Sequence, residues 1–286
     1  MRLGPFDTSE IKVRGGGGGG GAAGGLGCGT LVIALIAAVV FGVDPMQTIG
    51  MIEGVQQQLP ADNARADISE DELCSSSAYA TEACAALASL NRTWEPVFAR
   101  SNVRFEEPEL VLYPSGPVAT NGCGNASSAA GPFYCPADQG IYLDTTFFDQ
   151  LARMSGARGN FARLYVIGHE YGHHIQNITG INRQIREAQQ ANPAAANRMQ
   201  VAMELQDDCL AGVWAGANRD LLEPGDLEAG MMAASAIGDD ALMEGSGRAI
   251  NPEAFTHGTS EQRMAALRRG LSRADPNACN TYTDNL

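Results

Sequence analysis

Two histidines four residues apart, His169 and His173, flank a glutamate, Glu170, in the stretch LYVIGHEYGHHIQN. On an α-helix this spacing stacks both imidazoles on one face, where they can share a metal ion. Glu170 follows the first histidine and projects beside such an ion without having to bind it. Two imidazoles suit zinc, which acidifies a bound water so that a nearby carboxylate can take its proton as the water attacks a carbonyl. The chain has only four histidines. Two of them at this spacing around a glutamate favour a zinc hydrolase over a pair of core histidines satisfied by hydrogen bonds.

A catalytic zinc takes three protein ligands and keeps one position open, so a third ligand is expected on another element. Glu204, in MELQDDCLAG, is the first candidate. Asp208 lies one helical turn later on the same face, and this spacing suits a ligand followed by a carboxylate that orients a ligand histidine, here His169. The competing view of both is a solvated acidic helix face. Asp207 is a fallback ligand. His257, in AFTHGTSEQR, is open to three roles: hydrogen-bond donor to the oxyanion of a tetrahedral intermediate, structural residue, or ligand. His174 points to another side of the helix and suits packing or hydrogen bonding. Tyr165, one turn before His169, either reaches the site or packs as an ordinary tyrosine. Gly172 is suited to close packing across the helix.

These residues need helices to carry them and a frame to hold the helices. The periodicity predicts helices over 78–101, 145–154, 160–178, 181–190, 194–217, 227–242 and 260–272, with Pro96 kinking or shortening the first. Residues 103–113 have extended character. Phe133–Cys135 and Gly140–Asp144 read as two strands of a hairpin joined at 136–139. A few strands followed by many helices indicate an α+β fold, mostly helical with a small β-sheet.

Before that domain the chain changes character. Residues 1–25 read as a tail ending in a glycine run from Gly15 to Gly21, a flexible tether. Residues 26–43, LGCGTLVIALIAAVVFGV, carry no charge and have the length of one transmembrane helix. Arg2, Lys12 and Arg14 precede it, which places the N-terminus in the cytoplasm and the large domain outside, periplasmic or extracellular. Residues 44–77 read as a linker, leaving 78–286 as the globular domain.

The net charge of −14, from 33 acidic and 19 basic residues, argues against nucleic-acid partners. There are seven cysteines. Cys28 falls in the apolar stretch, and the other six can form three disulfides in an oxidising compartment. Cys123 with Cys135 is the first expected pair, and Cys209 with Cys279 the second. No CxxC pair occurs, which argues against a cysteine-based zinc cluster.

The segments GPFYCPADQGIYLD, FARLYVIGHEYGHHIQNITGI, MELQDDCLAGVWA and FTHGTSEQR, in this order, resemble the bacterial neutral zinc metallopeptidases. These are single-pass, membrane-anchored proteins with a zincin-like outer domain. The resemblance runs from about residue 108 to the C-terminus. It implies a zincin-like metallopeptidase domain of gluzincin type, with His169 and His173 as zinc ligands, Glu204 as the third and Glu170 as the catalytic base. It also implies a protein or peptide substrate that pairs its backbone along the GIYLD strand as a sheet edge. The alternative is a zinc-containing binding or scaffold protein of the envelope, without turnover. Glu170 favours the enzyme, because a structural zinc site needs no base.

Overall fold

The computed structural model describes residues 1–16 and 68–284. A four-stranded sheet in the order β1-β2-β6-β5 lies against a set of helices. It consists of β1 (Lys12–Gly15), β2 (Glu109–Tyr113), β6 (Gly140–Asp144) and β5 (Phe133–Cys135). β1, β2 and β6 run parallel, and β5 pairs antiparallel with β6, so the predicted hairpin is present. A small hairpin of β3 (Pro117–Ala119) and β4 (Asn125–Ser127) stands apart from it.

The helices are α1 (Glu70–Ser75), α2 (Ala78–Arg100), α3 (Phe147–Ser155), α4 (Phe161–Ile178), α5 (Ile181–Ala191), α6 (Ala196–Ala217), α7 (Asp226–Ala236), α8 (Asp239–Gly245) and α9 (Ser260–Arg273). The mostly helical α+β architecture is as expected. Strand alternation builds the core on both faces of the sheet. Leu110, Leu112, Ile141 and Leu143 join Leu87, Leu90 and Trp94 of α2 and Leu164, Ile167 and Tyr171 of α4. Val111, Tyr113 and Tyr142 face the other way, onto Val118 and Ala126 of the small hairpin. Buried polar contacts fix α2 against the two helices that carry the site: Tyr171 Oη donates to Asn91 at 2.9 Å, and Trp214 Nε1 donates to Ser89 Oγ at 3.1 Å.

Several expectations need correction. Residues 26–43 lie outside the described residues. Among the described residues no helix is long and apolar enough to cross a membrane, so the expected transmembrane helix before the domain is not supported. Residues 12–15, expected within a tail, form β1, which pairs parallel with β2. The GIYLD strand, β6, is not an edge, because it is paired on both sides, by β2 and by β5; the edge nearest the site is β5. The helix expected over 227–242 is two helices, α7 and α8, broken at Gly238. A Cβ on Gly238 would come within 2.4 Å of Ser260 N, so glycine at the break lets α8 start against the head of α9.

Three disulfides are present. Cys123–Cys135 and Cys209–Cys279 are the two expected pairs, and Cys74–Cys84 ties α1 to α2.

Candidate metal centre

Helices α4 and α6 lie side by side and bring together residues far apart in sequence. Their close approach depends on Gly172, where a Cβ would come within 2.9 Å of Asp207 Cα. Across this contact His169 and His173 of α4 meet Glu204 of α6, and one donor atom from each lies within 4.8 Å of the others. His169 Nε2 is 3.2 Å from Glu204 Oε2, and His173 Nε2 is 3.6 Å from the same oxygen. Ligand atoms about 2.0–2.1 Å from a tetrahedral zinc are separated by about 3.3 Å from one another. These spacings fit one zinc ion shared by the three residues.

The outward nitrogens of both rings are held as well. His169 Nδ1 is 2.9 Å from Asp208 Oδ1, and His173 Nδ1 is 2.8 Å from Asp207 Oδ2. Each Nδ1 therefore faces a carboxylate and each Nε2 faces the shared site, the arrangement in which an outer carboxylate sets ring orientation and tautomer. The expected Asp208–His169 contact is present. Asp207 supports His173 from behind instead of joining the donor cluster. Its contact with His173 is short but poorly aligned for a hydrogen bond, and neither of its buried oxygens has a well-aligned partner among the described residues. Burial, opposed by His173, pushes the Asp207 carboxyl up to about 7.

Asp208 is fully buried and multiply bound. Tyr165 Oη donates to it at 2.6 Å, and Arg263 Nε and Nη2 donate to its two oxygens at 2.9 Å each. Tyr165 thus reaches the site through Asp208. Burial alone would raise this carboxyl, but Arg263 and His169 outweigh it and hold the group below its usual value. Burial likewise disfavours the charged form of His169, yet Asp208 and Glu204 carry it up to about 9. Glu170, Glu204, Asp207 and Asp208 are all buried, with Arg263 as their buried basic partner. Such an excess of buried carboxylate is what a divalent cation offsets.

Around the donor cluster lies a cavity of about 280 Å³. Glu170 opens into it, 7% exposed, and burial raises its carboxyl above the ordinary value. His257 lines the same cavity. Its loop is gripped by Asp239, whose Oδ2 accepts from the backbone N–H of Thr256, His257 and Gly258 at 2.7, 2.7 and 3.0 Å. The other oxygen, Oδ1, is 3.2 Å from His257 Nδ1. Strand β5 forms a further wall through Phe133 and Tyr134, and it is tied to the site helix. His174 Nε2 donates to the Glu106 carbonyl at 2.6 Å, which leaves Nδ1 to accept from Tyr134 Oη at 3.1 Å. Asn177 also donates to Tyr134 Oη, at 3.0 Å. His174 is therefore a strut, as its position on the helix suggested.

Arg263 and Asp239 were not identified from sequence. Arg263 had a signal: it shares the buried stripe of α9 with Ala266, Leu267 and Gly270, and an arginine on such a stripe needs a buried acid. Asp239 had none, since its partners lie in an irregular loop.

Over residues 7–282 the chain matches the family described as "Putative neutral zinc metallopeptidase". The chain belongs to that family. It is 39% identical over 259 residues to the uncharacterized protein YpfJ of Escherichia coli K12, covering 90% of this chain and 86% of that protein. It is 40% identical over 208 residues to the uncharacterized protein Rv2575 of Mycobacterium tuberculosis H37Rv, covering 68% of each. The uncharacterized protein Mb2605 of Mycobacterium bovis matches to the same extent. No solved structure matches the chain significantly.

Proposed function

We propose that this chain is a zinc metallopeptidase of gluzincin type that hydrolyses peptide bonds, with His169, His173 and Glu204 as the metal ligands. The observation that carries this is the spacing of two Nε2 atoms and one carboxylate oxygen, at 3.2 and 3.6 Å, beside a buried glutamate in an open cavity. A structural zinc site is closed by four ligands and needs no base. Here three candidate ligands share a cavity with one.

When bound, zinc supplies Lewis acidity to a water and to the substrate carbonyl. The chain's own residues do the rest. Glu170 takes a proton from the attacking water at its carboxylate oxygen and gives it to the leaving amide nitrogen. Its burial, which favours the protonated form, suits it to hold that proton between the two transfers. Asp239 holds His257 at Nδ1, and His257, which lines the cavity, serves as hydrogen-bond donor to the developing oxyanion. Asp208 and Asp207 keep the ligand rings from turning. The free edge of β5 gives an extended substrate a strand to pair with beside Glu170. The three disulfides favour an oxidising compartment, periplasmic or extracellular, for this domain.

The test is incubation of the purified protein with a mixed peptide library, read by mass spectrometry, with chelator and then with zinc restored. The proposal predicts cleavage that chelation abolishes and zinc restores. Cleavage indifferent to chelator, or none by zinc-loaded protein, contradicts it.

A further inference from the structure

The cavity has two chemically different ends. Toward the start of α4, Val166 lies one turn before His169 and Glu170, and Phe147 and Ile237, which also line the cavity, pack in the same apolar cluster as Val166. Beyond His173 the lining changes to Asn182, Arg186 and Gln189 of α5, with Gln200 of α6. From Val166 to His173 the helix advances about 10 Å, which is about three residues of an extended chain. A peptide lying across Glu170 therefore places one side chain in the apolar end and passes His173 about three residues away, with the polar end at or beyond that point.

Arg186 gives the polar end its character. Its Nε donates to Oδ1 of the buried Asn182 at 2.6 Å, which fixes the direction of the guanidinium. The other guanidinium at the cavity, Arg263, is consumed by Asp208. Among the described residues lining the cavity, Arg186 is the guanidinium without a carboxylate partner. The neighbouring amides are already engaged: Gln189 Nε2 donates to Gln200 Oε1 at 3.3 Å, and Gln200 Nε2 donates to Glu204 Oε1 at 2.8 Å. An incoming carboxylate finds in Arg186 a planar donor whose outer N–H groups are available.

Resting on the metallopeptidase reading, we infer that Arg186 forms a carboxylate subsite, so that the preferred substrate has an apolar side chain at the cleavage region and a carboxylate three or more residues away. An acidic side chain and a free chain terminus offer the same chemistry.

The test uses the zinc-loaded Glu170→Gln protein, which holds peptides without cleaving them. The probes are alanine-based peptides with one phenylalanine and, about three to five residues to either side, Glu or Gln. Peptides ending at that position as free acid or amide form a second arm. Equilibrium binding by fluorescence anisotropy gives the affinity ratio of acid to neutral partner. A charge-assisted hydrogen bond at a rim predicts a ratio of roughly five to ten, falling toward one at high salt. Adding Arg186→Gln should collapse the ratio, and adding Arg186→Lys should keep only part of it, because the charge stays while the planar fork is lost. The arm showing the ratio identifies side chain or terminus. Equal binding of acid and neutral peptides, a ratio unaffected by Arg186→Gln, or no peptide binding at all overturns the inference. Turnover by the unmodified zinc-loaded protein separates the two ideas. Hydrolysis without acid preference sinks the subsite alone. Carboxylate-dependent binding without hydrolysis sinks the peptidase reading and leaves the subsite.

Discussion

Asp208→Asn should affect both stability and metal binding, by separable amounts. The carboxylate accepts from Tyr165 at 2.6 Å and twice from Arg263 at 2.9 Å, and it faces His169 Nδ1 at 2.9 Å. Asparagine has nearly the same shape, but it removes the charge and turns an NH₂ toward groups that are themselves donors. Arg263, 2% exposed, then carries an uncompensated charge in the interior. Breaking a buried ion pair from one side costs about 3–5 kcal/mol. Losing the partner of a ligand histidine costs about 10- to 100-fold in metal affinity. Urea unfolding of the metal-free protein measures the first, and zinc competition against a chelating dye measures the second. The double variant Asp208→Asn/Arg263→Met is the control. With both charges gone it should recover part of the lost stability, so the two changes are non-additive by about 1–3 kcal/mol. Asp208→Asn within about 1 kcal/mol of the unmodified protein, or a double variant that loses the full sum of the single losses, refutes the account of this network.

Two further changes probe the frame of the site. Gly172→Ala places a methyl within 2.9 Å of Asp207 Cα and should push α4 from α6, at about 1–3 kcal/mol by thermal or urea unfolding, with weaker zinc binding; unchanged stability and affinity would contradict the close approach. Asp239→Asn should lower stability in a pH-dependent way. Burial alone would raise the Asp239 carboxyl, but His257 and the backbone N–H groups of the loop outweigh it and hold the carboxyl below its usual value. A lowered folded value gives stability that is fully present above the unfolded-chain value of about 4 and is lost as pH falls through the folded value. The gap between unmodified protein and variant should be constant near neutrality and close in acid; a gap that persists to about pH 2 would count against the clamp.

What the sequence revealed was carried by short-range periodicity. The helix repeat alone aligns His169 with His173 and Glu204 with Asp208. The turn residues between Cys135 and Gly140 announce the β5–β6 hairpin, and the loop they follow needs the Cys123–Cys135 bridge. What it concealed depended on distant pairing. Lys12–Gly15 is too short and too close to the glycine run to declare itself a strand, and its strand partner, β2, lies far along the chain. The apolar residues 26–43 have the composition of a membrane helix, but they lie outside the described residues, and among the described residues no helix is long and apolar enough to cross a membrane. Gly238 breaks a helical pattern for the sake of Ser260, a partner in another helix. The spacing from Glu204 marks Asp208 as the partner of His169, whereas only the packing of α6 on α4 brings Asp207 to His173. The edge placement of the GIYLD strand comes from the family resemblance; the hairpin supplies β5 on one side, and only the long-range pairing with β2 covers the other.

The central claim is that His169, His173 and Glu204 hold one zinc ion while Glu170 acts beside it without binding it. The most direct measurement is metal content together with peptide hydrolysis on four proteins: unmodified, His173→Ala, Glu204→Ala and Glu170→Gln. The account predicts one zinc per chain in the unmodified protein and in Glu170→Gln, with hydrolysis in the first alone, and loss of both zinc and hydrolysis in the other two. Zinc lost from Glu170→Gln, or full zinc and hydrolysis retained in Glu204→Ala, would contradict it.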